Sequence, residues 1–130
     1  MDMKMELVPV PVTDVDRAKG FYADQVGFVL DVDVRPADGV RVVQLTPPGS
    51  ACSIVIGTGL MGMPDTPGSV KGLHLVVPDI DGARDELIGR GVVVEDVIDV
   101  GGGVKYAAFA DPDGNTMVLQ EMAWRTGDAY

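Results

Sequence analysis

The feature that most constrains the fold is an internal duplication. The stretch LVPVPVTDVD, Leu7 to Asp16, returns as GLHLVVPDID, Gly72 to Asp81, with Asp14 and Asp16 recurring as Asp79 and Asp81, each 65 positions on. Gly49 in PPGS recurs as Gly114 in PDGN at the same distance, so the repeat extends over whole units. Each copy reads as a strand running into a helix, and strand side chains alternate between two faces. Val8, Val10 and Val12 fall on Leu73, Leu75 and Val77, which keeps one face apolar for burial. Leu7, Pro9 and Pro11 fall on Gly72, His74 and Val76, so the other face differs between copies, as the wall of a cavity would.

Taken in order, the chain predicts the same five elements twice. Residues 6–12 alternate as a strand, and Pro9 and Pro11 cannot donate along one border, which marks a sheet edge or a seam between modules. Thr13 suits a helix N-cap, with Asp14 and Asp16 in the positive first turn and Val15, Ala18, Phe21 and Tyr22 as the apolar stripe to about Val26. Gly27 suits the left-handed residue that ends it. Strands follow at 28–34, 40–45 and 51–56, divided by the turns PADG and TPPGS.

The connector GTGLMGMPDTPGSVK is rich in Gly and Pro and reads as a linker, or as a flap carrying Leu60, Met61 and Met63. The second copy then predicts a helix over 79–90 ended by Gly91, strands at 92–98, 104–110 and 115–121, a flexible DVGGG and a tight DPDG turn. The expected organisation is one domain over residues 1–130, with modules at about 5–57 and 72–122 joined by a linker at 58–71. The fold class read from this order is α+β, two tandem βαβββ modules. Trp124, in a tail without periodicity, is a candidate for covering an apolar patch or for a dimer contact.

Charge and composition narrow the partners. Ten basic against 20 acidic residues give a net charge of −10, which argues against a nucleic-acid or anionic-membrane surface. No apolar run approaches the roughly 18 residues of a membrane span, and MDMKMEL lacks the pattern of a signal peptide. Cys52 is the single cysteine and forms no internal disulfide, so the expected location is cytoplasmic. By alternation from Ser53, Cys52 is expected to be buried. The acids of DPDGN lack calcium-loop spacing, and Gly101 to Gly103 do not lead a strand into a helix as a phosphate loop would. Tyr22, Tyr106 and Phe109 are read as core in preference to pocket walls.

Several segments carry a family resemblance. VTDVDRAKGFYADQVGF in the first half, and VVPDIDGARDELIGRGV and FADPDGNTMVLQE in the second, resemble the vicinal oxygen chelate superfamily of glyoxalases, bleomycin-resistance proteins and dioxygenases. VRVVQLTPPGSACSIVIG is similar to its small bacterial glyoxalase-like branch. The resemblance implies that the two modules form a curved eight-stranded mixed sheet around a cavity, commonly completed or stabilised by a homodimer, and in metal-binding members a ligand on the first and last strand of each module. Those four positions fall on Leu7, Ser53, Gly72 and Val118. Three of them lack a donor atom and the fourth is a neutral hydroxyl, so no metal and no cofactor is expected.

His74 and Gln120 each lie two residues beyond an inherited position on the same strand face, opposite Pro9 and Val55 of the repeat. Glu6 and Glu121 alternate to the other side unless a bulge rotates them. The sequence therefore predicts a small-molecule-binding protein whose cavity is lined by Leu7, Pro9, Ser53, Val55, Gly72, His74, Val118 and Gln120. The alternative is an enzyme of lyase, isomerase or dioxygenase type, using His74 as acid or base or within a relocated metal site.

Overall fold

Eight strands and two α-helices fall into two four-stranded sheets with the same internal order, as the duplication requires. The computed structural model describes residues 1–125. The described chain divides into two compact units, Met1–Val70 with Asp111–Asn115, and Lys71–Ala110 with residues 116–125. Among the described residues no helix is long and apolar enough to cross a membrane.

In the first unit β1 (Leu7–Pro9) pairs in parallel with β4 (Ser53–Thr58), which pairs antiparallel with β3 (Val40–Thr46), and β3 with β2 (Val29–Ala37). β1 lies at the end of the order β1-β4-β3-β2. Val10 N–H donates to Val55 O, so the donors that Pro9 and Pro11 lack would point to the free side. The helix is capped by Asp14, not by Thr13: the Asp14 carboxylate accepts from Arg17 N–H. Thr13 instead donates from its N–H and hydroxyl to Asp113. α1 (Val15–Gly20) then widens into a π-helical segment, Phe21–Val26, closed by Gly27 at φ 94°. The wider turn brings Phe21 and Tyr22 both into the core, where Tyr22 stacks on Phe28 at 5.6 Å between ring centres.

A charged clasp holds α1 to the sheet. Arg41, 7% exposed on β3, donates to Asp33 of β2 at 3.0 and 3.1 Å and meets Asp16 of α1 at 2.8 Å, while Lys19 reaches Asp33 at 2.8 Å. The Arg41 bond first, and that of Lys19 second, holds the Asp33 carboxyl well below the usual carboxylate range. A carboxyl depressed on folding contributes stability present above its unfolded value, about 4, and lost as pH falls through the folded one. We expect the melting temperature to fall more steeply in wild type than in Asp33→Asn between about pH 5 and about pH 2. Parallel melting curves would contradict this account.

A second polar cluster forms around the turn Asp111–Asn115. The Asp111 carboxylate, in a residue 6% exposed, accepts from Tyr22 O–H and from Asn115 Nδ2, each at 2.8 Å, and from the N–H groups of Asp113 and Asn115. Asn115, 1% exposed, also donates to Pro11 O at 2.8 Å and accepts from Val70 N–H at 3.1 Å. Burial, then the neighbouring Asp111 charge, pushes the Tyr22 phenol far above its ordinary range. DPDGN is therefore a structural knot, not a ligand loop.

The second unit repeats the pattern. β5 (Leu73–Val76) pairs in parallel with β8 (Thr116–Met122), followed by β7 (Val104–Ala110) and β6 (Ile98–Gly101). α2 (Ile80–Gly89) is capped by Asp79, whose carboxylate accepts from Gly82 N–H, and packs Ile80 and Leu87 toward Ala107, Phe109, Met117 and Leu119. The strand expected over 92–98 is only an isolated bridge, Val94 to Phe109, and the DVG of DVGGG is itself in β6. Arg84 explains part of the break: it donates to the carbonyls of Val94 and Glu95, filling positions that a further strand would use.

Candidate functional site

Each unit offers one sheet face turned away from its helix. In the first, Leu7 stands across from Ser53 and Pro9 across from Val55, in the register expected from sequence. Gln44 stands across from Val55, and the Thr46 and Ser53 hydroxyls lie 2.6 Å apart. Ser53 and Val55 are buried at 5% and 6% exposure, and Leu7 and Pro9 are half-buried. Thr46 also bonds the Asp31 carboxylate, at the bulge between Leu30 and Val32. Glu6 reaches this face, contrary to strand parity, and accepts from Gln44 Nε2 at 3.3 Å. β1 begins only at Leu7, so alternation does not govern Glu6. Cys52 is half-buried, not buried, because it too precedes its strand.

The second unit is not a copy in register. Leu7 and Ser53 are 46 positions apart, but the residue opposite Val118 is His74, 44 positions away, and Gln120 faces Val76. β5 is thus displaced by two residues along its neighbour, and Gly72 does not stand beside Val118 as the repeat predicts. Gly72 sits before β5 at φ 76°, with its N–H bonded to Thr116 O and Oγ1. That φ is a conformation in which a Cβ is strained, so glycine here serves the backbone. Only His74 Cε1, at 4.0 Å, would meet an added Cβ. We expect Gly72→Ala to cost about 1 kcal/mol, read by urea denaturation, from conformation alone. An unchanged midpoint would contradict the strain.

His74 lies on the face it shares with Val118, Ala108, Gln120 and Tyr106, and the displacement, being of two residues, keeps that face and sets it directly opposite Val118. His74 is exposed. Its Nδ1 lies 2.6 Å from Gly72 O, and its ring meets Tyr106 edge-on at 5.6 Å between centres. Gln120 Nε2 donates to the Tyr106 oxygen at 3.4 Å. A half-open hollow of about 240 Å³ in the same unit is lined by Val93, Glu95, Ala108, Phe109, Ala110 and Thr116. Ala108, Ala110, Thr116 and Val118 share one side of β7 and β8 by register, so the hollow has a flat floor of short side chains. Glu121 points the other way and accepts from Ile80 N–H at the start of α2, as strand parity predicts.

The structure therefore groups the eight anticipated residues as four in each unit, and adds Tyr106 and the alanine floor. Tyr106 was legible only as an aromatic at strand spacing, and the register that seats it beside His74 is long-range. Tyr22 and Phe109 are core, as read from sequence. The inherited ligand positions do not fit a metal ion: Leu7, Gly72 and Val118 have no side-chain donor, and the Ser53 hydroxyl is bonded to Thr46. Among the described residues no three His, Cys, Asp or Glu side chains gather as a metal site.

Comparison with known proteins agrees with this architecture. The model of the Glyoxalase/Bleomycin resistance protein/Dioxygenase superfamily matches residues 4–119. TnmS3, an antibiotic binding protein from Streptomyces sp. CB03234, is 36% identical with a TM-score of 0.81, the match covering 94% of this chain and 98% of that one. A glyoxalase/bleomycin resistance protein from the same Streptomyces is 38% identical, with a TM-score of 0.75 over 89% of this chain and 98% of its own. A superfamily member from Sphaerobacter thermophilus DSM 20745 is 29% identical, with a TM-score of 0.81 over 92% and 98%. No curated protein sequence matches the chain.

Proposed function

The chain belongs to the Glyoxalase/Bleomycin resistance protein/Dioxygenase superfamily, and from that premise we propose that it binds a small, largely apolar organic molecule without a metal. The observation that carries this reading is the face of the second unit. By register it carries the short side chains of Ala108, Ala110, Thr116 and Val118 together with three polar side chains, His74, Tyr106 and Gln120, and Ala108, Ala110 and Thr116 also line a hollow. Pockets for small organic ligands combine these two ingredients, apolar walls and a few placed polar groups. At about 240 Å³ the hollow is below the roughly 300–1,000 Å³ usual for such ligands, so the ligand extends beyond it. Leu7, Pro9, Ser53 and Val55 are proposed to line a ligand-binding face of the first unit. The similarity to an antibiotic binding protein supports this reading over a catalytic one.

We place the protein in the cytoplasm as a homodimer. Val29, Val34, Ile98 and Val100, on the last strands of the two sheets, are each about half exposed or more, at 52%, 49%, 58% and 56%. Apolar edge strands of this kind favour association. Sedimentation at micromolar concentration tests the dimer, and a monomer there counts against it.

A second reading, an enzyme using His74 as acid or base, is favoured by one observation. The Gly72 carbonyl holds the ring by Nδ1 and leaves Nε2 for a proton transfer. One experiment separates the two. Thermal-shift screening of metabolites and antibiotics is run on chelator-treated protein, and the stabilising compounds are recovered and analysed by mass. Stabilisation with unchanged compounds supports binding; a chemically altered compound, or stabilisation only with an added divalent ion, rejects it.

A further inference from the structure

The polar groups on the second unit's face are not interchangeable, and their hydrogen-bond roles are set by partners inside the protein. A carbonyl only accepts, so His74 Nδ1, 2.6 Å from Gly72 O, carries the proton. In the neutral ring Nε2 is then an acceptor, and no partner occupies it among the described residues. The Tyr106 oxygen accepts from Gln120 Nε2 at 3.4 Å, which leaves the phenol's own hydrogen to be donated outward. The two rings meet edge-on with centres 5.6 Å apart, so the residues that offer the acceptor and the donor are neighbours on the face that also carries Ala108, Ala110 and Val118. Glu95 lines the hollow, and with a net charge of −10 the chain disfavours an anion.

We propose that this face recognises a molecule that is not an anion, with an apolar body carrying a hydroxyl and a carbonyl. The hydroxyl donates to His74 Nε2, the carbonyl accepts from Tyr106 O–H, and the apolar body covers the alanine floor. The proposal rests on the binding reading above and adds the ligand's chemical class. Polar groups of this kind discriminate strongly, because an analogue lacking the matching group leaves a desolvated donor or acceptor unpaired.

The test uses the full chain and three probes: 3-hydroxybenzophenone, 3-methoxybenzophenone, which cannot donate, and 3-benzylphenol, which lacks the carbonyl. His74 is the only histidine, so its ring nitrogens give an unambiguous two-bond ¹H–¹⁵N NMR signature, recorded at about pH 8, above the usual imidazole range. The free protein is expected to show the Nδ1-protonated tautomer. The hydroxy-ketone is expected to shift Nε2 and to bind about tenfold more tightly than either analogue. Tyr106→Phe is expected to abolish the preference over 3-benzylphenol and keep the preference over the methyl ether. Equal binding of all three probes, with shifts at His74, overturns the recognition proposed here and leaves the binding reading standing. No shift in this face with any probe overturns the recognition proposed here as well, and the compound screen above decides the binding reading separately.

Discussion

Replacing Asn115 with alanine is expected to lower the unfolding free energy by about 3–5 kcal/mol, among the largest effects a single side chain here can have. Asn115 is 1% exposed, and its amide makes three bonds: to Pro11 O and Asp111 Oδ2 at 2.8 Å, and from Val70 N–H at 3.1 Å. Truncation removes the partner of Val70 N–H, at about 1–3 kcal/mol, and one bond each, at about 1 kcal/mol, from Pro11 O and Asp111 Oδ2, which keep Gly68 N–H and Tyr22 O–H. Water entering the space left behind recovers part of this, which sets the upper figure. Urea denaturation measures the effect, and a loss below about 1 kcal/mol would show that the cluster is not needed.

Gly68→Ala is expected to cost about 2–4 kcal/mol by a different route. Gly68 has φ 80°, and a Cβ there would lie 2.2 Å from the Asp113 carbonyl oxygen, a backbone atom that cannot swing away. The turn would have to retreat, and that turn carries Asp111 and Asn115. Gly68 N–H also bonds Pro11 O at 3.2 Å, the same carbonyl that Asn115 Nδ2 holds. Sites sharing a partner are not independent, so the double variant is expected to lose less than the two single losses combined. Strict additivity would mean that the connector and the turn are separate supports.

These two residues also mark the limit of what could be read from the sequence. β7 was fully legible: Val104–Ala110 alternates and is bounded by a glycine run and a turn. The caps Asp14 and Asp79 sit at equivalent places in the repeat, although Thr13 looked like the first of them; its hydroxyl was claimed by Asp113, a hundred residues away. The π-helical segment has no residue-level signal, since it arises from packing Phe21 and Tyr22 into one core. Turn propensity accounts for DPDGN, but only the buried contacts of Asp111 with Tyr22 and of Asn115 with Pro11 show why these particular side chains are there.

The candidate site was half legible for a related reason. Period-two alternation correctly assigned Ser53, Val55, His74, Val118 and Gln120 to faces, because it needs only local information. Register between β5 and β8 is a long-range property, and the strict repeat placed Gly72 where His74 stands. That two-residue displacement keeps the lone imidazole on its face and sets it directly opposite Val118. Glu6 escaped for the opposite reason, an alternation rule applied one residue before the strand began.

Binding of an apolar molecule on that face, without a metal, is the claim on which the rest depends. The most direct measurement is an isotope-filtered NMR experiment on the full chain with 3-hydroxybenzophenone in excess EDTA. The account predicts contacts from the compound's aromatic protons to the methyl groups of Ala108, Ala110 and Val118, and to the ring protons of His74. Contacts confined to other residues, or contacts that appear only when a divalent ion replaces the chelator, would contradict it.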